Sequence, residues 1–485
     1  MQTKTVLERD SCLTSKRKLW GDYSTFIAIF FLFGFLPSLK WMRLFPLVEY
    51  RSKVFFDLSF SWLLKGWTLT GQNMYSTAFY FDTWIGRTCN TNIQCLNVAP
   101  QIIHLITATA LFVLAMKYFR SRIIASIVLA MWLISVPYLE TLSWQALNLD
   151  KIAALTTTLG ALVGIYFFRE HYSVRNVVLS NTVLLLLVVI GYNAKPSGWV
   201  LIPGLWMLPI IGNGLRVKNW YKYLIVPTIY GLLNNFIWYR AVQADSFYRE
   251  HTSGGDLKRN ISQFIGYLHG STHPTMSSKI VFVSVIGFLT WRSALKSPHC
   301  RFGFWCILMV LGGILISART VYGSAFYMLV SQVFYCLALG AVIKECLLFA
   351  KRYAVPGRLT AMFTLLACLL FFFPGLQSSH REYGSVLLQS ENFVRSFERI
   401  KLEVARCNQE KLKILIDDSM DYKFVDGGSL GKFIASNFPI LESNISFMNT
   451  NEFQYDLAES DTLYVVYDEE MNIGDVFVLP NRPNN

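Results

Sequence analysis

The stretch APQIIHLITATALFVLAMKYFRSRIIASIVLAMWLISVPYLETLSWQALNLDKIAALTTTLGALVGIYFF (residues 99–168) holds three apolar runs separated by two short turns of opposite character. The first turn, KYFRSR (117–122), is basic. The second, SVPYLETLSWQALNLDK (135–151), carries Glu140 and Asp150. Each run approaches the roughly 20 apolar residues that cross a bilayer as a helix. The runs are continuous and do not alternate, so they predict spanning helices and not the strands of a barrel.

The rest of the chain repeats this pattern. Of 485 residues, 53% are hydrophobic and only 15% charged, against about 25% charged in a soluble protein. Mean hydropathy is +0.38. About eleven apolar helices are predicted, near 20–38, 99–117, 122–138, 151–168, 176–193, 197–212, 220–239, 278–295, 302–318, 322–345 and 358–376. The net charge of +13 does not mark a nucleic-acid binder, because the basic residues sit in short turns between apolar runs. With Lys16, Arg17 and Lys18 placed inside, the inward turns are 117–122, 169–175, 216–222, 291–301 and 344–358, and every one is basic, as the positive-inside rule requires. Residues 1–19 are then cytoplasmic, and the first apolar run is a signal anchor with no small-residue cleavage site after it.

Residues 20–376 are expected to form the membrane domain. Its first outer loop, 39–98, contains the amphipathic VFFDLSFSWLLKGW (54–67), suited to lie at the interface. A second outer loop spans about 240–277 and contains His251, His269 and His273, whose spacing marks no metal site. From 377 to 485 the composition turns polar. A helix near 384–407 and strands at 411–417 and 462–468 predict a small outer α/β domain. Cys300, Cys306, Cys336, Cys346 and Cys368 fall in or beside apolar runs and read as small buried hydrophobes. Cys89 and Cys95 lie in the outer loop, an oxidising setting on this topology, and are expected to form a disulfide.

The same orientation sets four carboxylates on the outer face: Glu49, Asp57, Glu140 and Asp150. Carboxylates near helix ends can act as a base, grip sugar hydroxyls or bind a divalent metal, although no spacing here demands a metal. Lys195 and Arg319 are outward cations at helix ends.

GFLPSLKWMRLFPLVEYRSKVFFDLSFSWLLKGW (34–67), the 99–168 stretch with its Pro-x-x-Glu turn and helix-opening Asp, and NAKPSGWVLIP (193–203) together resemble the GT-C membrane glycosyltransferases. The resemblance covers about the first 210 residues. Where that family usually has an acidic pair in its first loop, this chain has Glu49-Tyr50. Length and outer tail are similar to the serotype-converting O-antigen glucosyltransferases of temperate phages. The resemblance implies an inverting hexosyltransferase of the bacterial inner membrane with its active site facing the periplasm. Its donor would be a sugar, glucose by the resemblance, on undecaprenyl phosphate, and its acceptor the O-antigen of lipopolysaccharide. It assigns Glu49 as base, Asp57 as its support, Glu140 and Asp150 to the acceptor or a divalent ion, and Lys195 and Arg319 to the carrier phosphate. Other lipid-linked-sugar transferases (mannosyl or aminoarabinosyl type), an O-antigen ligase or polymerase, and a polysaccharide flippase are the alternatives.

The orientation is tested by fusion. Alkaline phosphatase joined after residue 400 is expected to be active and after residue 218 inactive; the reverse pattern would place every carboxylate named above on the wrong face.

Overall fold

The computed structural model describes residues 24, 26–35, 58–70, 75–89, 93–143, 148–168, 173–211, 219–244, 256–270, 275–295, 297–318, 325–352, single positions at 377, 402, 404 and 405, and strands at 413–417, 445–448, 462–467 and 473–479. Glu49, Asp57 and Arg319 lie outside the described residues, as do the N-terminal segment 1–19, nearly all of the expected 384–407 helix and the whole of the expected 358–376 helix.

The chain is a helical membrane protein. After a π-helical turn at Phe30–Phe35, its helices are α1 (Phe60–Trp67), α2 (Ser76–Cys89), α3 (Ile93–Phe119), α4 (Arg122–Leu133), α5 (Val136–Ser143), α6 (Asn148–Phe167), α7 (Val174–Tyr192), α8 (Leu201–Ile211), α9 (Ile225–Ala244), α10 (Leu257–Leu268), α11 (Met276–Ala294), α12 (Pro298–Ser317) and α13 (Leu329–Arg352). Among the described residues five helices are long and apolar enough to cross a bilayer, and α4 with α5 would make a sixth.

Several expected boundaries shift, and Pro137 accounts for one of them. The single helix expected over 122–138 is broken, with α4 and α5 bent by 55°. Pro137 lacks an N–H and crowds the residue before it, and Ser135 fills the gap. Its Oγ donates to Trp132 O (2.7 Å) and accepts from Tyr138 N (3.4 Å). The helix expected from 99 begins at Ile93 and carries Pro100 inside it. The segment 197–212 opens as a 3-10 helix, Pro196–Val200, before α8. The 3-10 piece packs on α7, while α8 packs on α6 and α12.

Close helix approach in the bundle relies on glycine. A Cβ on Gly160 would meet the Leu201 side chain at 2.5 Å, and one on Gly164 or Gly191 would strike Leu205 or Thr156. Small residues permit such contact where burial against lipid offers no hydrophobic gain. Trp305, fully buried on α12, donates its indole N–H to Gly204 O at 2.7 Å, fixing α12 against α8. Outward faces are apolar, as a lipid-facing surface must be: Val178 on α7 is 60% exposed, and Ile229 and Leu233 on α9 are also exposed.

Cross-links sort the two ends of the bundle. At one end Tyr118 donates to Pro298 O (3.1 Å) and stacks on Phe302 (3.6 Å between centroids), while Glu345 accepts from Arg292 and from Ser297 Oγ (2.8 Å). At the other end Thr77 N donates to Asn193 O (3.1 Å), tying α2 to the end of α7. The basic turns at 117–122 and 291–301, as far as they are described, belong to the first end. On α10, His269 donates from Nδ1 to Ile265 O (2.8 Å) and accepts at Nε2 from Tyr335 OH (2.6 Å), which seats that helix on α13. Burial holds this imidazole below the ordinary histidine range.

Near the C-terminus, β1 (Lys413–Asp417), β2 (Ile445–Met448), β3 (Thr462–Tyr467) and β4 (Ile473–Leu479) form one sheet in the order β2-β1-β3-β4. β1 runs parallel to β2 and β3, and β4 is antiparallel to β3. Strands stand at two of the positions read from the sequence; β2 and β4 are additional.

Gly191 offers a direct test of the packing. Gly191→Val should cost about 1–3 kcal/mol by overpacking against Thr156, read as a lower melting temperature of the purified protein, with Gly191→Ala in between. An unchanged melting temperature would contradict the α6–α7 approach.

Candidate functional site

At the end of the bundle opposite the basic turns, four buried charges converge. Lys195 leaves α7 in an extended conformation (φ −160°), and its backbone is pinned on both sides: its N–H donates to Gly191 O (3.1 Å) and its C=O accepts from Gly198 N (3.0 Å). The side chain therefore has one way to go. Its Nζ donates to Asp150 Oδ2 at 2.5 Å and lies 4.1 Å from the centre of the Tyr327 ring. Asp150 stands in the first turn of α6, where the helix dipole favours a negative charge. Asn148, one residue into the same helix, donates from Nδ2 to Asp82 Oδ1 of α2 at 2.5 Å. Lys151 is fully buried, and the charges of both Asp82 and Asp150 bear on it.

Among the described residues the formal charges here balance, two carboxylates against two amines. Neutrality is a requirement here, because an uncompensated charge in such a place costs several kcal/mol. Next to them His104, 1% exposed, packs edge-on against Tyr138 (4.8 Å) and Trp132 (6.0 Å). α2 is held in position three ways: by Thr77 N on Asn193 O, by Trp67 Nε1 donating to Thr77 Oγ1 (2.8 Å), and by a disulfide from Cys89 to Cys95 with Cα atoms 5.4 Å apart.

The arrangement is incomplete as a hydrogen-bonded set. Asp150 Oδ1, Asn148 Oδ1, His104 Nε2, Ser76 Oγ and Ser197 Oγ are buried and have no partner among the described residues. Buried polar atoms are paired in nine cases of ten or more, so these oxygens and the imidazole nitrogen leave room for a polar guest or water beside the cluster. Ionisable residues in membrane helices are likewise rare and tied to function.

Asp150 and Lys195, expected separately at the outer face, meet in one ion pair. Lys195 is buried, and at rest its ammonium is bound to Asp150. Glu140 is half-buried on α5, which packs against the 3-10 turn Ala325–Met328 that carries Tyr327. Asp82, Lys151, Asn148 and His104 were not read from the sequence. Their signals are there in hindsight: an aspartate within the aromatic FYFDTW (79–84), and a lysine directly after the aspartate that opens a span. Among the described residues no three His, Cys, Asp or Glu side chains group as metal ligands. Asp82 and Asp150 hold Asn148 and Lys195 instead.

No protein-family model matches the sequence, and no curated protein matches it.

Asp82→Ala should remove the acceptor of Asn148 and the counter-charge of Lys151, lowering stability by about 3–5 kcal/mol, as when one partner of a buried charge pair is removed. Asp82→Asn, which keeps an acceptor, should lose less. Thermal unfolding of the purified variants reads both, and equal stability of Asp82→Ala and wild type would show that Asp82 is not part of the cluster.

Proposed function

We propose that the chain is a glycosyltransferase that moves a sugar, glucose by the resemblance, from an undecaprenyl-phosphate carrier to O-antigen sugar at the periplasmic face of a bacterial inner membrane. The observation that carries this reading is the neutral, partly unsatisfied Asp82–Asn148–Asp150–Lys151–Lys195 cluster at the ends of the spans. A lipid-linked donor presents its phosphate and sugar at that depth. A cation suits the phosphate, and unpaired carboxylate and amide oxygens suit hydroxyl donors.

In the reaction the acceptor hydroxyl attacks the sugar carbon that bears the phosphate. The new carbon–oxygen bond forms as the old one breaks, the phosphate leaves with the electron pair, and the hydroxyl proton passes to a base. Glu49 is proposed as that base and Asp57 as its support. Lys195 and Arg319 would stabilise the departing phosphate, and Glu140 and Asp150 would orient the acceptor. No step is assigned to a metal.

A flippase for a lipid-linked saccharide is the second reading. It is favoured by the helix break at 193–200 beside buried charges, a feature that transporters also use. Transfer of labelled glucose from undecaprenyl-phosphate glucose in isolated membranes separates the two. Glu49→Gln keeps size but cannot take a proton, so transfer should fall by about 10²–10⁴-fold while the protein accumulates normally. Should Asp57→Asn abolish transfer and Glu49→Gln spare it, the base is Asp57; no transfer by wild type with lipid translocation intact would favour the flippase.

A further inference from the structure

Lys195 and Asp150 raise a problem for any anionic ligand at this mouth. Lys195 is already held by a carboxylate, and the formal charges of the described cluster already balance. A phosphate added to it would leave an excess negative charge in a buried place.

Resting on the glycosyl-transfer reading, we infer that Asp150 and Lys195 form an exchangeable pair: the carrier phosphate takes Lys195 from Asp150, and the released Asp150 accepts a hydrogen bond from a sugar hydroxyl.

Three features make the exchange feasible. The Tyr327 ring, 4.1 Å from Lys195 Nζ, keeps a favourable contact with the ammonium whichever anion it faces. When Lys195 leaves, Lys151 and the N-terminus of α6 remain beside Asp150 as positive neighbours. Asp150 Oδ1 is also buried and unpartnered before any ligand arrives, so the carboxylate has acceptor capacity that Lys195 never used. The excess negative charge is then relieved by hydroxyl donors, and this couples phosphate binding to sugar binding. Ordered substrate use follows: the acceptor meets a competent Asp150 only when the donor is in place.

The test uses the purified full chain in lipid nanodiscs, with undecaprenyl phosphate as probe and undecaprenol and phosphatidylglycerol as controls. In Asp150→Asn the carboxylate no longer competes, so undecaprenyl phosphate should bind about tenfold tighter, worth about 1.4 kcal/mol, although glycosyl transfer falls. Lys195→Gln should weaken binding by a similar factor, and Lys195→Arg should restore part of it. A purely structural pair would not give tighter phosphate binding in an inactive variant. Infrared difference spectra of the wild type serve as a second readout independent of the single variants. Undecaprenyl phosphate should shift a carboxylate band that is missing in the folded double variant Asp150→Asn/Lys195→Gln. Unchanged or weaker binding by Asp150→Asn, or no carboxylate shift in the wild type, overturns the exchange. Equal effects from phosphatidylglycerol overturn its assignment to the carrier. If the exchange is seen but wild type transfers no sugar, the pair stands and the glycosyltransferase reading falls.

Discussion

Buried charge must be balanced, and at the mouth of this bundle that constraint organises everything nearby. Asp150 pairs with Lys195 across the α6–α7 interface. Lys151 needs a second acid, and α2 supplies Asp82. Neither half stands alone: removing one partner of a buried pair is commonly worth about 3–5 kcal/mol of stability. The short helix α2, outside the long spans, is therefore as much a part of the site as α6. Gly191 of α7 serves the same end, because it lets α7 approach Thr156 of α6 below the Asp150–Lys195 pair.

What the sequence reveals follows from what is local. Apolar runs and basic turns are local, so the helical membrane architecture and the two ends of the bundle are legible in 99–168 and its counterparts. Asp150 and Lys195 are legible as polar residues at helix ends. Their pairing is not, since 45 residues separate them and the contact depends on the extended backbone at Lys195. Asp82 was hidden for a different reason. A single carboxylate in a long aromatic loop looks solvated until the helix that carries it is seen to dock on α6. The bend before α5 was signalled by Pro137, but a window of apolar residues averages over a proline and reads straight through it.

The same division holds for chemistry. Residue type and position suggested carboxylates and cations at one face. Geometry changed what two of them can do at rest: Lys195 is engaged, and Asp150 is half-satisfied. Under the proposed transfer reading, such a site would stay restrained until a ligand changes the balance, shielding the donor from attack by water.

The cross-link between Cys89 and Cys95 closes a loop of only a few residues, and in the chain-entropy account so short a loop contributes about 2 kcal/mol. Its larger effect is on the order of assembly. On the proposed orientation the two thiols meet an oxidant only after this segment has been translocated. Insertion alone can then complete the bundle, but the wall that carries Asp82 is fastened later, by the redox chemistry of the far compartment. A cell unable to make disulfides would hold a fully inserted protein with an unlatched mouth.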